Sequence, residues 1–126
     1  MKAAPRPIHY DLSPAHLPLP AWVSILHRIS GVLLFLALPL GVWALAASLS
    51  GEAGFERIRG WVLFPVGKLV VLLAAWAFLH HLFAGLRHLT LDVHWGEARG
   101  HARASAGLVL AASLAGTAAT GWKLFA

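Results

Sequence analysis

Long stretches almost free of charged side chains constrain the fold of this chain more than any other feature. No Lys, Arg, Asp or Glu occurs in residues 29–51 or 104–122, and residues 60–86 hold only Lys68. Each stretch approaches or exceeds the roughly 20 residues that a helix needs to cross the hydrocarbon core of a bilayer. The sequence therefore predicts three membrane-spanning helices.

The composition supports this prediction. Hydrophobic residues make up 59% of the chain and charged residues 12%, whereas soluble domains carry roughly 25% charged residues. We predict an all-α integral membrane protein, a single membrane-anchor domain over 1–126 with a tail at 1–20 and transmembrane helices at about 22–49, 61–89 and 103–124. Three helices cannot enclose a polar site by themselves, so we expect them to form part of a multi-subunit helical bundle.

The distribution of basic residues predicts the orientation in the membrane. The tail shows no pattern of a cleavable signal peptide, and residues 52–59 read as a short amphipathic connection at the membrane surface. Six basic residues flank one side of the membrane: Lys2, Arg6, Arg28, Arg87, Arg99 and Arg103. Arg57, Arg59 and Lys123 flank the other, and Lys68 is ambiguous. This bias predicts a cytoplasmic N-terminus and a periplasmic C-terminus, and it explains the basic charge without a nucleic-acid partner.

Cysteine is absent from the chain. Its absence excludes disulfides, thiolate metal sites and the thioether attachment of a c-type haem. Any haem would have to be held noncovalently.

Histidines cluster near the end of the second predicted span. On a helix, His81, Gly85 and His88 share one face over two turns, and the glycine would leave a strip on which a flat cofactor could lie. His81 and His88 are separated by about 10.5 Å of helical rise, too far for both to bind one iron. One of them could be an axial ligand, with a trans partner from His27 or from another subunit. The alternative is that the histidines only form hydrogen bonds between helices.

The adjacent charged residues have a simpler interpretation. Arg87 and Asp92 are predicted to mark the end of the helix at the lipid headgroups. His80 lies next to His81 and makes the choice of ligand less distinct, although the spacing to Gly85 favours His81.

A second polar cluster begins the first span, in residues 24–31. Ser24 and Arg28 are four residues apart and share a helix face, where a hydroxyl beside a guanidinium could bind a carbonyl or a carboxylate. Alternatively, Ser24 bonds within its own turn and Arg28 extends to phosphate headgroups. The antiparallel second span returns to this side of the membrane and brings His81 and His88 to the same depth.

These two clusters resemble the motifs of a known family. The segment 24–31 (SILHRISG) and the pattern His81-x-x-x-Gly85-x-Arg87-His88-Leu89-x-x-Asp92 resemble the cytochrome b membrane anchor of succinate dehydrogenase. Residues 6–12 and 54–56 fit the same pattern. The resemblance extends over nearly the whole chain.

The resemblance implies a respiratory complex II of the bacterial inner membrane. A flavoprotein would oxidise succinate in the tricarboxylic acid cycle, an iron–sulfur subunit would carry the electrons, and two anchors would bind one shared haem b and ubiquinone. His81 would be an axial haem ligand, with the other on the second anchor. His88, Arg28 and His27 would lie near the haem propionates, and Ser24 and Arg28 would bind the quinone.

Three alternatives remain. A fumarate reductase anchor would run the same chemistry in reverse. A haem-free structural anchor would use the histidines for helix packing. A small transporter would need polar groups near the membrane midplane of several helices, and it is the least favoured because the third span offers only small hydroxyls there.

Overall fold

The computed structural model describes residues 17–94, 96 and 98–126. Most of this part of the chain is helical. Its helices are α1 (Leu19–Leu49), α2 (Glu52–Leu63), α3 (Pro65–Asp92) and α4 (Arg99–Phe125). The predicted tail lies mostly outside the described residues, which include only its last few positions.

Prolines begin two of the long helices. Pro20 lies in the first turn of α1, and Pro65 begins α3 after Phe64, whose backbone is extended (φ −65°, ψ 145°). A proline at this position loses no helical hydrogen bond, because the first N–H groups of a helix have no partner within it. The two helices therefore begin where proline is best tolerated.

The second spanning helix begins at Pro65, four residues later than the sequence placed the span. Residues 61–63 belong instead to α2, a helix of 12 residues where the sequence indicated a short amphipathic connection with at most a turn of interfacial helix. The break falls at Phe64 because a following proline disfavours the α conformation. The other helix ends lie within a few residues of the predicted spans: α1 begins at Leu19, α3 continues to Asp92, and α4 begins at Arg99 and ends at Phe125.

The three long helices pack together with their apolar side chains facing outward. Helix α3 contacts both α1 and α4, and α1 also contacts α4. All three are long and apolar enough to cross a membrane. Large side chains such as Phe35 (75% exposed) and Trp122 (77%) face away from the bundle, as suits contact with lipid or partner helices. The chain is thus an all-α, multi-pass membrane protein, as the sequence predicted.

The core is small and lies at one end of the bundle. It is formed where α1 begins, α3 ends and α4 begins, by Val23, Ala84, Ala106 and Val109. Among the described residues of α1, only Val23 and Ser30 are fully buried, so its second half, 31–49, is without a buried residue. The helices are held together most closely at the end that carries the polar clusters.

Candidate functional site

One face of α3 is packed against the other helices. Its buried residues Ala77, His80, Ala84 and Arg87 recur every three to four positions and form a stripe along the helix. We call these four residues the packed face. It contains two of the costliest groups to bury in a membrane, an imidazole and a guanidinium, so each must find partners inside the protein.

His80 joins all three long helices. Its side chain is completely buried, its Nδ1 lies 3.4 Å from the Ser113 hydroxyl of α4, and its Nε2 lies 3.5 Å from the Val23 carbonyl of α1. The Trp76 ring stacks beside it at 5.6 Å between centroids. Both ring nitrogens have protein partners. The two adjacent histidines, His80 and His81, form a doublet whose members differ, because His80 lies on the packed face and His81 does not.

Arg87 does not mark the helix end at the headgroups, contrary to the sequence-based interpretation. It is only 7% exposed. Its Nε donates to the Ser105 hydroxyl at 3.0 Å, and Nη2 donates to the Ala102 carbonyl at 3.2 Å. The side chain turns inward because small residues of α4 let that backbone approach and supply acceptors. Asp92 is exposed at the last position of α3, in keeping with a helix end.

A second face of α3 points toward α1 and comprises His81, Gly85 and His88, which we call the imidazole face. His81 Nδ1 lies 3.1 Å from the His27 carbonyl oxygen. Because a carbonyl only accepts, Nδ1 must carry the proton and Nε2 must hold the lone pair. No described residue is in hydrogen-bond contact with His81 Nε2. His81 therefore presents an unprotonated nitrogen that can bind a metal.

His27 covers the strip that the sequence assigned to a flat cofactor. Its ring stacks on His81 with centroids 4.2 Å apart and planes at 17°, and it lies 5.1 Å from the His88 ring. Its Nε2 is 3.6 Å from where a side-chain carbon on Gly85 would stand. That is an ordinary van der Waals distance, so His27 lies against the strip at Gly85. Stacked faces leave no space for an iron between two in-plane lone pairs, so this arrangement argues against His27 as the trans ligand.

Ser30 and Gly31 complete the surroundings of His81. The Ser30 hydroxyl is fully buried and lies 3.4 Å from His81 Nδ1. A side-chain carbon on Gly31 would stand 2.9 Å from His81 Cε1, closer than real contacts allow. The imidazole therefore lies directly on the α1 backbone, in a space that only glycine leaves open.

Ser24 and Arg28 share the face of α1 that their spacing predicted. Ser24 is half-buried and Arg28 is exposed. The other serines within the described residues each donate to the carbonyl three positions earlier: Ser30, Ser48, Ser50, Ser105 and Ser113. Among the described residues, neither Ser24 nor Arg28 has a hydrogen-bond or ion-pair partner. Ser24 does not satisfy itself within its own turn, so both groups can bind a ligand.

The structure thus brings His27, His81 and His88 together and leaves Ser24 and Arg28 on the exposed side of α1. Sequence reasoning missed four contributors: Ser30, Gly31, Ser105 and Ser113. A signal for the last two was present. His80 and Arg87 are seven residues apart on α3, and Ser105 and Ser113 are eight apart on α4. Because the two helices are antiparallel, His80 meets Ser113 and Arg87 meets Ser105.

Taken together, the fold and the side chains define a class of protein. It is a small multi-pass membrane protein whose helices present an imidazole with one nitrogen available and, on α1, a hydroxyl and a guanidinium that have no partner among the described residues. Among the described residues, no group of three or more His, Asp or Glu side chains could hold a metal ion alone. An imidazole with one available nitrogen suits a cofactor that brings most of the other ligands itself.

Comparisons with known proteins identify the family. Residues 2–120 match the model of the succinate dehydrogenase/fumarate reductase transmembrane subunit. A succinate dehydrogenase cytochrome b556 subunit from Coxiella burnetii is 38% identical over 116 residues, 87% of this chain and 89% of that protein. The protein of the same name from Paracoccus denitrificans is 33% identical over 113 residues, 86% and 84% of the two chains. The chain belongs to this family, as a cytochrome b anchor subunit of succinate dehydrogenase.

Proposed function

We propose that this chain binds haem b and ubiquinone in the membrane arm of succinate dehydrogenase, where electrons pass from the iron–sulfur subunit to the quinone. The observation that carries the proposal is the contact between His81 Nδ1 and the His27 carbonyl oxygen, which lie 3.1 Å apart. The His27 carbonyl holds the proton on Nδ1 and leaves the Nε2 lone pair for iron. When bound, the haem supplies a one-electron redox centre.

The residues of this chain fit such a group. His81 would hold the haem iron through Nε2, and a second histidine ligand would come from the other anchor subunit, because His27 stacks on His81 instead of facing it. The rings of His81 and His88 both lie against the His27 ring. We propose that His27 and His88 meet the haem propionates, together with Arg28 from the adjoining part of α1. The role of joining helices, the main alternative for the histidines, describes His80 better, because both of its nitrogens have protein partners.

Ser24 and Arg28 are proposed to bind the quinone. A hydroxyl and a guanidinium on one helix face can both donate toward a quinone carbonyl oxygen. Arg28 adds a fixed positive charge that stabilises the negative charge developing on that oxygen as electrons arrive. The absence of protein partners for these two side chains, among the described residues, supports this role.

The partners are proposed from the family, and the direction of the reaction is proposed from the names of the relatives. A flavoprotein that oxidises succinate, an iron–sulfur subunit and a second membrane anchor would complete the complex. The names of the Coxiella and Paracoccus relatives favour succinate oxidation over the reverse reaction of a fumarate reductase anchor.

The haem proposal is tested by the reduced-minus-oxidised visible spectrum of the purified complex. His81→Ala should remove the haem b absorbance, because the iron loses a ligand from this chain. The control is His101→Ala, which removes an exposed imidazole of α4 and should leave the spectrum unchanged. A normal bis-histidine spectrum in the His81 variant would overturn the assignment.

The quinone proposal is tested by two activities of the same membranes. Ser24→Ala and Arg28→Ala should lower succinate:ubiquinone reductase activity at least tenfold, the loss expected for a hydrogen bond to developing charge. Succinate oxidation by a soluble artificial acceptor should persist. Ser48→Ala is the matched control on α1, since that hydroxyl bonds only to its own helix. Unchanged quinone reduction in both site variants would contradict the proposal.

The orientation is proposed from the basic residues, with the N-terminus in the cytoplasm and the C-terminus in the periplasm of a bacterial inner membrane. The chain has no native cysteine, so single substitutions report cleanly. A membrane-impermeant thiol reagent added to intact cells should label this chain in Lys123→Cys and leave it unlabelled in Arg103→Cys. The reverse pattern would invert the topology.

A further inference from the structure

The Ser30 hydroxyl sits between the backbone of α1 and the imidazole of α3. Its side chain is fully buried, and its Oγ donates to the His27 carbonyl at 2.9 Å. A serine hydroxyl has one proton. Since that proton is directed to the carbonyl, Ser30 can meet His81 Nδ1, 3.4 Å away, only as an acceptor.

His81 Nδ1 therefore faces two acceptors, the His27 carbonyl at 3.1 Å and the Ser30 hydroxyl at 3.4 Å. If Nδ1 carried the lone pair instead, it would face the carbonyl lone pairs at that distance. Both contacts are satisfied only when the N–H is on Nδ1. The hydroxyl is also a better acceptor because it is itself donating, since consecutive hydrogen bonds polarise one another.

The same contacts determine the plane of the ring. The two acceptors hold one edge of the imidazole, and Cε1 lies 2.9 Å from where a side-chain carbon on Gly31 would stand. Turning the ring about its Cβ–Cγ bond would move Nδ1 away from both acceptors. The orientation of Nε2 is fixed by α1, although His81 belongs to α3.

We propose that Ser30 is a positioning residue, which holds His81 in the Nδ1–H tautomer and in one ring plane and thereby tunes the redox potential of the haem iron. The inference rests on the proposed function, in which His81 is an axial ligand. Acceptors on the second nitrogen make an imidazole more basic toward its metal, and this stabilises the oxidised iron. Ser30 thus adds to the electron density that His81 donates.

The chain contains a matched control for this serine. Ser113 is equally buried and lies at the same 3.4 Å from the Nδ1 of His80, the other member of the doublet. It too donates to the carbonyl three residues earlier. The two serines differ in which histidine they contact, so Ser113→Ala removes an equivalent hydroxyl without touching the proposed ligand.

The experiment uses the whole complex in detergent, with Ser30→Ala, Ser30→Cys and Ser113→Ala compared with the unaltered protein. Haem content is read from the reduced-minus-oxidised spectrum, the midpoint potential from a redox titration, and the angle between the axial ring planes from the low-spin electron paramagnetic resonance signal. Ser30→Ala should keep a bis-histidine haem, raise its midpoint potential, shift the resonance signal and weaken haem retention about tenfold. Ser30→Cys, with a weaker acceptor, should give an intermediate potential. Ser113→Ala should match the unaltered protein in potential and signal.

Two outcomes would overturn the proposal: an unchanged potential and resonance signal in Ser30→Ala, or equal shifts in Ser30→Ala and Ser113→Ala. Failure of the proposed function would look different, because His81→Ala would then retain its bis-histidine spectrum. A normal spectrum in Ser30→Ala, together with haem loss in His81→Ala, shows that the ligand remains in place and that only its positioning is under test.

Discussion

The two faces of α3 carry the same kinds of side chain and use them differently. On the packed face, His80 and Arg87 are buried and bonded to other helices. On the imidazole face, His81 and His88 are only half-buried, and His81 bonds through one nitrogen alone. The polar groups of the packed face find their partners within the chain, whereas the imidazole face leaves Nε2 of His81 available.

The difference shows how a small membrane protein can separate stability from chemistry on one helix. Polar groups buried in a membrane are costly unless they are hydrogen-bonded, so buried residues with partners on other helices, such as His80 and Arg87, hold the helices in register. That register then fixes where the adjacent residue His81 points. The hypothesis is that the packed face stabilises the bundle and the imidazole face binds the cofactor, and substitutions should affect the two properties separately.

The largest difference between effects on stability and effects on haem content is expected for the adjacent histidines His80 and His81. His80→Ala should lower the stability of the complex by about 2–4 kcal/mol, because it leaves a cavity among three helices and removes the contacts with Ser113 and Val23. The haem content of each assembled complex should stay near normal, whereas His81→Ala removes it. Thermal unfolding and the haem-to-protein ratio measure the two effects. Loss of haem from assembled His80→Ala complexes would show that the two faces are not independent.

A smaller loss is expected from Arg87→Ala, about 1.5–3 kcal/mol, the range for hydrogen bonds to a charged group. Its two bonds to α4 disappear while the haem spectrum stays normal. Arg103→Ala, at an exposed position of α4, is the matched control and should change stability by less than about 0.5 kcal/mol. Equal unfolding temperatures for the two variants would place Arg87 outside the packing.

On the imidazole face, Gly31→Ala should displace the His81 ring and cost about 1–3 kcal/mol through overpacking. The new methyl group would meet the ring at 2.9 Å, and the acceptors on Nδ1 resist its movement. The expected signs are a shifted haem spectrum and lower haem content. Gly41→Ala, on the same helix with nothing within 4 Å, should be neutral or slightly stabilising. Identical haem content in the two variants would refute the close packing of His81 on α1.

The smallest effect is expected for Gly116→Ala on α4. The added carbon would stand 2.8 Å from Leu79 Cδ1, the flexible end of an apolar side chain that can move away. Any remaining strain is partly offset by the higher helix propensity of alanine, so the net change should stay within about 1 kcal/mol. The haem spectrum should be unaltered, and thermal unfolding supplies the stability. A destabilisation larger than that of Gly31→Ala would reverse the expected ranking.

Local features of the sequence predicted the three spanning helices and which residues of the candidate site share a helix face. The uncharged stretches predicted the three spanning helices, because helix length and side-chain polarity alone determine whether a segment can cross hydrocarbon. Helical spacing placed His81 and His88 on one face and Ser24 with Arg28 on another, and the two motifs together indicated the family that the comparisons identify. The break between α2 and α3 was missed, although Pro65 signals it.

Contacts between helices decided which partners the polar side chains have. The sequence by itself determined which residues share a face, because that depends only on the 100° turn per residue. Only the tertiary structure decided that His80 is bonded on both nitrogens and His81 on one, that Arg87 turns inward to Ser105, and that His27 fills the strip beside Gly85. The physical reason is that hydrogen-bond partners come from other helices, and their depth and rotation follow from packing the whole bundle.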